Sequence, residues 1–586
     1  MPKKQPKEQK IKIAPTKGRP MLNWVGKKPL DYVKGYPAVL MEVFDPLKTN
    51  LNYDVPKYEN LEKNWQNLLF YGDNKDVLAT LLEQGFRGKV DLIYIDPPFM
   101  SNADYVRKVE LRGLKETRTE VDDADLLQQT MYFDMWRNDA YLQFMYERLI
   151  LLKELLAETG SIYVHCDYRV NSYLRLLMDE IFGEDNMVNE IIYAYRIQGV
   201  ARRFWARKHQ TLLYYRKSDK YTFDSEKERV YYEKPFIDTK KDEQGRYYAD
   251  VFVRDVWDCD YTKPLISGSK EYLDFRTQKS EGLLQRIIKT SSNSNDLVLD
   301  CFIGSGTTAR VAQKLGRKWI GCDINKGAIQ TTSRELQKII SKQIKNKETK
   351  YPSFATYKVN NYDLQLLRTE AIELAVQHIG IQRTKTDSFF DGTLGKNLVK
   401  IIDFNHPFTL LDFQLIQDEL KKRPNEDRNI TVVCLGKELA VDADIEEWNK
   451  KHPINKIEVI ELKTDKKYGN FLIHKPNEAK VKINRNGNKA IIEIKDFISP
   501  TIIERLNIDN ALFKVKIPDF RAMIDYVLID TNYNGKTFHI IYSDVPEKKS
   551  DLIQGKYELE ISKGKTKIAV KIVDMLGEEL LITKEI

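Results

Sequence analysis

Short apolar runs alternate with amphipathic segments over most of the first 325 residues. Runs of strand length lie at 89–95, 161–165, 189–195, 210–215, 296–299 and 318–321. Helix-like periodicity lies at 74–84, 141–158, 171–181 and 308–315, and a glycine follows soon after each of these segments. Strands that alternate with helices in this way predict a parallel α/β sheet with helices on both faces.

The pattern changes at two places along the chain. Residues 218–276 are polar and aromatic and interrupt the alternation, which predicts an insertion between two halves of the sheet. Beyond about residue 345 the chain is again α/β in character, and from about residue 477 strands of antiparallel type follow. There Asn534-Gly535 predicts a hairpin between 526–530 and 537–542, and Gly564 predicts a turn between 557–561 and 567–573.

These changes predict six segments in a chain too long for a single core. They are a basic disordered tail at 1–20, the two halves of one domain at 21–217 and 277–345, the insertion at 218–276, an α/β module at 346–475 and a β-rich module at 476–586.

Composition adds little to this division. The net charge is +8, but the first twenty residues alone contribute +6, so net charge is weak support for nucleic-acid binding. The five cysteines are scattered without metal-ligand spacing, and we expect neither a metal site nor a disulfide framework. No signal peptide core or apolar run of membrane-spanning length is present, so we expect a cytoplasmic protein without a membrane partner.

The sequence Asp96-Pro97-Pro98-Phe99 directly follows the predicted strand 89–95. Two consecutive prolines fix φ, remove two backbone donors and keep Asp96 out of the helical region, so we expect a stiff turn. Open α/β sheets bind ligands at this end of their strands. A carboxylate and a carbonyl there can accept both N–H bonds of an exocyclic amino group on a base, and Phe99 can stack on its ring. A strand-terminating turn without a ligand is the alternative.

A glycine loop, Gly304-Ser305-Gly306, follows the predicted strand 296–299 and opens a helix. Its glycines allow a ligand to approach the backbone, and the helix N-terminus favours an anionic group. Asp323 ends the next strand, about twenty residues on, where an acidic residue usually binds ribose hydroxyls. Ala309 completes a G-x-G-x-x-A pattern, so these residues predict a nucleotide or nucleoside site and leave NAD open as its ligand.

A short stretch before the strand 210–215 mixes basic and aromatic residues: Arg202, Arg203, Phe204, Trp205, Arg207, Lys208 and His209. Such mixtures suit phosphate contact and base stacking, so we expect its four basic residues to bind DNA. A solvated loop is the alternative. None of the seven histidines is assigned a catalytic role.

With these motifs, the chain resembles the β-class DNA amino-methyltransferases, and most of all the modification subunits of Type III restriction-modification systems. The similarity covers about 67–336 and includes the segments 67–74, 160–167, 176–183, 207–218, 277–284 and 300–308. Ser280 stands where the family usually has Pro, and Cys301 and Ile303 stand where Pro and Cys are commoner.

The resemblance implies a Rossmann-like methyltransferase sheet that is circularly permuted, with the catalytic half first, and 218–276 as its target-recognition insertion. It implies catalysis by Asp96, Pro97, Pro98 and Phe99. It also implies that S-adenosyl-L-methionine (SAM) is bound by Asp73, Asn74, Asp96, Lys279, Asp300, Phe302, Gly304, Gly306, Thr307 and Asp323.

The predicted function is N6-methylation of adenine on a base flipped out of double-stranded DNA. Asp rather than Ser before the two prolines favours adenine over the N4 of cytosine. A catalytically silent DNA-binding subunit and a nicotinamide oxidoreductase are the rival hypotheses. We expect a homodimer and, as a further partner, a restriction subunit. Deletion from about residue 370 onward is expected to leave SAM binding intact and to abolish sequence-specific DNA binding or assembly.

Overall fold

A computed structural model gives the structure of the chain. The described residues are 11–14, 21–49, 53, 55–100, 104–112, 126–133, 138–195, 201–258, 265, 269, 271–273, 275, 277–360, 372, 375–376, 379–384, 387, 389–402, 407–462, 476–503, 517, 519–548 and 550–586. Most of the basic tail at 1–20 and parts of the insertion at 218–276 lie outside these residues.

The chain divides into two compact units. The first unit comprises residues 1–360 together with 477–586, and the second comprises 361–476. The α/β module was expected to begin at residue 346, but the second unit begins one strand later. Residues Phe354–Val359 pair with two strands of the first unit's main sheet, and the second unit begins only after them.

The first unit is built on a sheet of eleven strands. In chain order they are β1 (Ala38–Phe44), β2 (Asn67–Tyr71), β3 (Val90–Ile95), β4 (Leu156–Cys166), β5 (Met187–Ala194), β6 (His209–Arg216), β7 (Val256–Trp257), β8 (Leu297–Asp300), β9 (Lys318–Asp323), β10 (Phe354–Val359) and β11 (Phe538–His539). Their spatial order is β7-β5-β6-β4-β3-β8-β9-β2-β10-β1-β11.

The middle of this sheet is parallel. Strands β4, β3, β8, β9, β2 and β10 all run in one direction, whereas β6 is antiparallel to both of its neighbours and β1 is antiparallel to β10. Leu92 and Ile93 in β3 are fully buried, as expected for a central strand covered on both faces. The predicted α/β methyltransferase-like sheet is confirmed.

Helices connect many of these strands: α1 (Asn74–Glu83), α2 (Asn138–Leu155), α3 (Asn171–Phe182), α4 (Glu281–Ser291), α5 (Thr307–Lys314) and α6 (Lys326–Lys345). Polar side chains cap three of them. Asp73, Ser280 and Asn325 each accept a backbone N–H bond from the first turn of α1, α4 and α6. The cap on α4 gives Ser280 a structural role at the position where the family usually has proline.

One helix boundary was predicted wrongly. The pattern at 141–158 predicted a helix closed by Gly160, but α2 ends at Leu155 and Gly160 lies inside β4. A Cβ at Gly160 would lie 2.7 Å from Cδ1 of Leu156 and 3.0 Å from the carbonyl oxygen of Asp91. Glycine is needed here because β4 packs closely against β3, and not because a helix ends.

The insertion contains a small antiparallel sheet of its own. Its strands are Lys227–Tyr232, Lys240–Lys241 and Tyr247–Phe252, and the chain then returns to the main sheet as β7 beside β5. Two further antiparallel pairs in the first unit are Ile11–Lys12 with Tyr32–Val33, and Asp104–Glu110 with Leu126–Phe133. A short helix spans Tyr58–Leu61.

Residues 477–586 belong to the first unit, and apart from β11 their strands form two antiparallel sheets. One sheet contains Glu478–Asn486, Lys489–Ile498 and Lys556–Glu560. The other contains Ile524–Asp530, Tyr542–Asp544, Lys567–Asp574 and Glu579–Glu585. A 3₁₀ turn spans Phe520–Met523.

Neither hairpin predicted in this region forms as expected. After Asn534-Gly535 the chain adds β11 to the edge of the main sheet beside β1, and only Tyr542–Asp544 returns to Ile524–Asp530. The strands on either side of Gly564 lie in different sheets. The glycine signals predicted where the chain turns, but they did not predict which strands pair on either side of each turn. That pairing depends on segments distant in the sequence.

Buried polar contacts join this C-terminal region to helix α6. Asp525 accepts hydrogen bonds from Arg334 at 2.8 Å and from Arg112 at 2.5 Å, and the side chain of Gln330 donates to Glu579 at 2.8 Å. A deletion from about residue 370 would remove β11 and leave Arg334 without this buried carboxylate. That deletion would therefore damage the first unit instead of separating two modules.

The second unit has a five-stranded sheet in the order Gln382–Arg383, Gly392–Leu394, Asn397–Ile401, Ile430–Cys434, Ile457–Glu461. The last three strands are parallel and are joined by the helices Leu410–Lys421 and Leu439–Lys451. No helix in the described part of the chain is long and apolar enough to cross a membrane.

Candidate active site

The carboxyl ends of neighbouring parallel strands bring the sequence motifs together. Asp96 follows β3, the glycine loop follows β8, Asp323 ends β9 and Asp73 follows β2. One cavity of 660 Å³ is lined by all four motifs. Its volume lies within the usual range for small-ligand sites.

Asp96 lines this cavity and has an unusual environment. Its Oδ2 accepts a hydrogen bond from Nζ of Lys279, whereas its buried Oδ1 has no hydrogen-bond partner among the described residues. Burial raises the pKa of Asp96, and the positive charge of Lys279 opposes that rise. The carboxylate is therefore held at one oxygen and free to accept a donor at the other.

Aromatic side chains line the cavity around this turn. The rings of Phe99 and His165 lie 6.2 Å apart with their planes tilted by 35°. Tyr193 meets His165 edge to face at 5.7 Å, and Tyr195 meets Tyr193 edge to face at 5.5 Å. Pro97, Pro98 and Phe99 line the same cavity, so this end offers flat apolar surfaces beside a hydrogen-bond acceptor.

At the other end of the cavity, two carboxylates are bonded through both oxygens. Asp300 accepts from the backbone N–H of Phe302 at 2.9 Å and from the hydroxyl of Thr308 at 2.5 Å. Asp323 accepts from the backbone N–H of Gly304 at 2.9 Å.

The second oxygen of Asp323 accepts from the backbone N–H of Asn325 at 2.8 Å. Burial raises the pKa of Asp300 to about 7 and that of Asp323 to about 6. These hydrogen bonds fix the glycine loop and the start of α6 in place around the cavity.

Glycine is required in the loop for two different reasons. Gly306 has φ of +81°, and a Cβ there would lie 2.6 Å from Oγ1 of Thr332. That hydroxyl donates to the carbonyl of Gly304 at 3.1 Å, so it is not free to move away. Gly304 has φ of +50°, but its Cβ would meet no atom closer than the ring of Phe275 at 3.6 Å.

Asp73 and Asn74 form a wall of the cavity next to the loop. Asp73 accepts from Nη2 of Arg148 at 2.9 Å, and the amide of Asn74 donates to the carbonyl of Cys301 at 3.1 Å. Arg148 also bonds to Asn74 and lies over the ring of Phe144, 3.5 Å from its centroid. Both predicted residues therefore line the cavity in fixed orientations.

The remaining predicted cofactor residues also line the cavity: Lys279, Phe302 and Thr307. Phe302 lies 6.1 Å from Phe144, and the hydroxyl of Thr307 donates to the carbonyl of Lys279 at 3.3 Å. Lys279 was expected to bind SAM, but its side chain contacts a catalytic residue instead. Its ammonium group pairs with Asp96, so it connects the two ends of the cavity.

The basic stretch lies on an exposed loop at the same end of the sheet as the cavity. This loop connects β5 to β6, and β6 begins beside the carboxyl end of β4. Arg207 donates to the hydroxyl of Tyr168 at 2.7 Å, and Phe204 and Trp205 are 60% and 96% exposed. Arg202, Arg203 and Lys208 lie on the same loop and, like Arg207, are absent from the cavity lining.

Sequence reasoning missed several polar residues that line the cavity, among them Tyr94, Asp167, Arg169 and Gln210. Tyr94, His165 and Gln210 form a hydrogen-bonded chain across β3, β4 and β6, and Tyr94 and Gln210 line the cavity. The signal for Tyr94 was its position two residues before Asp96, which places both side chains on the same face of the strand. Nothing local in the sequence links His165 to Gln210. Among the described residues, no group of three or more His, Cys, Asp or Glu side chains is arranged to hold a metal ion.

Known proteins of similar sequence are DNA methyltransferases, which agrees with the arrangement of this cavity. A family model described as DNA methylase matches residues 90–334. The Type II methyltransferase M1.MboII of Moraxella bovis is 32% identical over 266 residues, which cover 42% of this chain and 88% of that protein.

Two Escherichia coli proteins match over different shares of their length. DNA adenine methyltransferase YhdJ is 29% identical over 42% of this chain and 76% of its own length. The Type III enzyme EcoP15I Mod subunit is 34% identical over 29% of this chain, but the match covers only 26% of that subunit.

The chain belongs to the DNA methylase family. The predicted class, a DNA methyltransferase that uses SAM as its methyl donor, is confirmed. The cavity fits this cofactor, because it combines a glycine loop at a helix N-terminus, two fixed carboxylates and the ring of Phe302 with an acceptor at Asp96.

Proposed function

We propose that this chain is a site-specific DNA methyltransferase that forms N6-methyladenine on a flipped base. The observation that carries the proposal is the buried Oδ1 of Asp96, which has no hydrogen-bond partner among the described residues and belongs to a residue that lines an aromatic cavity. A buried acceptor without a donor costs about 1–3 kcal/mol. The amino group of an extruded base supplies the missing donor.

The catalytic residues act on the base by accepting hydrogen bonds. Asp96 Oδ1 and the carbonyl of Pro97 accept the two N–H bonds of the amino group, which returns electron density to its nitrogen. Phe99 holds the ring by stacking. Burial raises the pKa of Asp96, which makes this carboxylate a better acceptor for the proton that the methylated nitrogen loses.

The cofactor end has the residues that would hold SAM beside that nitrogen. When bound, SAM supplies an electrophilic methyl group on its sulfonium. The backbone N–H groups at the start of α5 would bind its carboxylate and Asp323 would accept hydrogen bonds from its ribose hydroxyls, while Asp73, Asn74 and Phe302 would form the walls around it. Holding both partners in this orientation supplies much of the rate.

DNA binding is assigned to the surface near the cavity. Arg202, Arg203, Arg207 and Lys208 contact phosphates, and the exposed rings of Phe204 and Trp205 offer stacking surfaces. In the insertion, Arg229 lies 3.9 Å from the ring centroid of Tyr248, and Arg246 lies 4.3 Å from that of Tyr231. These cation–aromatic pairs suit a role in target recognition.

Adenine is preferred as the target because Asp stands before the two prolines, and because one relative is named as a DNA adenine methyltransferase. By similarity to a Type III Mod subunit, we propose that the chain modifies DNA within a restriction-modification system. We further propose that it acts as a cytoplasmic homodimer and assembles with a restriction subunit.

The test uses the full chain, methyl-labelled SAM and unmethylated plasmid DNA. Nucleosides from the digested product are identified by mass spectrometry, and Asp96→Ala serves as the matched control. We expect N6-methyladenine with the wild type and only traces with the control. Labelled N4-methylcytosine would overturn the base assignment, and a lack of any methylated base would overturn the proposed activity.

A further inference from the structure

The chain of Tyr94, His165 and Gln210 has a fixed geometry. The hydroxyl of Tyr94 lies 2.8 Å from Nδ1 of His165, and Nε2 of His165 lies 2.8 Å from Oε1 of Gln210. Tyr94 and His165 are 2% and 0% exposed. The proposed function uses neither of these bonds.

The direction of hydrogen bonding follows from the hydroxyl end. Among the described residues, Nδ1 of His165 is the only acceptor within reach of the buried Tyr94 hydroxyl, so the hydroxyl donates to it. Burial lowers the pKa of His165 well below its usual range, and the charge of Lys279 lowers it further. The neutral ring therefore carries its one proton on Nε2, which donates to Oε1 of Gln210.

This arrangement fixes the orientation of the Gln210 amide. Its oxygen faces His165, so its NH₂ group is the part that remains available to the cavity. The Gln210 side chain has no other hydrogen-bond partner among the described residues. Two of the residues that line the cavity, Asp96 with its unpartnered Oδ1 and Gln210 with its amide donor, therefore follow or lie on strands two positions apart in the sheet.

We propose that Gln210 is a specificity-determining residue that donates a hydrogen bond to a ring nitrogen of the flipped base, and that Tyr94 and His165 are positioning residues for it. This inference rests on the proposed function. Adenine N1 and cytosine N3 are acceptor nitrogens next to the ring carbon that bears the target amino group. The corresponding nitrogens of guanine and thymine carry a proton, which would face another donor and be rejected.

The test replaces the target adenine in a duplex oligonucleotide with 1-deazaadenine or 7-deazaadenine, each of which lacks one acceptor nitrogen. Steady-state kcat/KM is measured for the wild type and for Gln210→Ala. On adenine, we expect Gln210→Ala to lose roughly tenfold, the size of one hydrogen bond. On one of the two analogues the wild type should lose a similar factor, and Gln210→Ala should lose nothing more.

Tyr94→Phe tests the positioning role. Without the hydroxyl, the proton of His165 can move to Nδ1 and the Gln210 amide can turn over. We expect Tyr94→Phe to lose less kcat/KM on adenine than Gln210→Ala does. On the analogue that the wild type methylates more slowly, Tyr94→Phe should match the wild type, and its SAM affinity should be unchanged. Tyr163→Phe is the matched control, because it removes a buried 2.8 Å bond to Ser291 from the same strand as His165 without reaching the cavity. This control should leave discrimination between adenine and the analogues unchanged.

Two kinds of failure can be told apart. If the wild type methylates no base, the proposed function is wrong. If it methylates adenine but Gln210→Ala loses the same factor on adenine and on both analogues, Gln210 makes no contact with a ring nitrogen and the inference is overturned. Equal discrimination by Tyr94→Phe and the wild type would overturn the positioning roles.

Discussion

The two ends of the cavity use their carboxylates differently. At the cofactor end, both oxygens of Asp300 and of Asp323 accept hydrogen bonds from the protein. At the catalytic end, Lys279 occupies one oxygen of Asp96 and the other has no partner among the described residues. All three carboxylates follow or end parallel strands of one sheet, so strand position alone does not separate them.

The difference separates carboxylates that build the site from one that is available to react. Asp300 and Asp323 tie the glycine loop and the start of α6 to the sheet, and their substitution should change stability and cofactor binding. Asp96 is bonded through one oxygen to the side chain of Lys279 and leaves the other without a partner among the described residues, so its substitution should change chemistry. If this division is correct, the largest effect comes from Asp96 and the smallest from its partner Lys279.

Asp96→Ala should lower turnover by roughly 10²–10⁴-fold, because it removes the acceptor for the target amino group. SAM affinity, measured by calorimetry, should stay within about tenfold of the wild type, since the bonds of Asp300 and Asp323 remain. Asp96→Asn keeps the shape of the side chain and one acceptor oxygen, so its turnover should lie between those of Asp96→Ala and the wild type. Turnover of Asp96→Ala near the wild-type value would contradict the catalytic assignment.

Asp300→Asn should flatten the dependence of stability on pH. The pKa of Asp300 is raised from 3.8 to about 7 in the folded chain, so the folded state binds a proton more tightly than the unfolded state. The free energy of unfolding should therefore fall as pH rises from about 4 to 7, and the neutral amide should remove roughly 2–4 kcal/mol of that fall. Urea unfolding at pH 5 and pH 8, without SAM, measures the difference.

Asp323→Asn is the matched comparison for this effect. The pKa of Asp323 is raised only to about 6, so its substitution should flatten the same curve less and over a narrower pH window. Parallel stability curves for the wild type and Asp300→Asn would show that the buried carboxylate does not titrate in this range.

Gly306→Ala should destabilise the glycine loop by about 1–3 kcal/mol, because φ is +81° and the new Cβ meets Thr332 at 2.6 Å. Thermal unfolding without ligand measures the loss. Gly304→Ala is the control, since its Cβ would meet no atom closer than Phe275 at 3.6 Å and its cost comes chiefly from the positive φ. Equal losses in the two variants would rule out the contact with Thr332 as the cause.

Lys279→Met should give the smallest effect, a shift of the acid limb of kcat to higher pH. Lys279 lowers the pKa of Asp96 against the effect of burial, so its removal should raise that pKa and leave more of the carboxylate protonated. The expected loss is therefore greater at pH 6 than at pH 8. Lys289→Met, at an exposed position near the end of α4, should leave the pH profile unchanged. A shift of the Lys279→Met profile to lower pH would contradict the assignment.

Much of this site could be predicted from the sequence because its residues lie at the ends of strongly apolar strands. The carboxyl ends of parallel strands meet at one edge, so Asp96, Asp300 and Asp323 had to converge once the strands were recognised. All ten predicted cofactor residues except Gly306 line the cavity, and Gly306 lies within the loop that borders it.

Contacts between distant segments left no comparable signal in the sequence. The Tyr94–His165–Gln210 chain joins residues that are far apart in sequence, and Asp525 meets Arg334 across 191 positions. Such pairs depend on which strands become neighbours in the sheet. The alternation of apolar and polar residues along a strand shows only that the strand has a buried face, and it does not identify the neighbour.

The sequence by itself determined the order of the two halves, the Asp-Pro-Pro-Phe turn, the glycine loop and the α/β class. Tertiary structure alone decided that β11 leaves its expected hairpin for the edge of the main sheet, that residues 477–586 join the first unit, and that Asp96 keeps one oxygen free. The reason is physical: turns and strand propensities are local, whereas the pairing of a sheet edge and the satisfaction of a buried carboxylate depend on every segment that packs there.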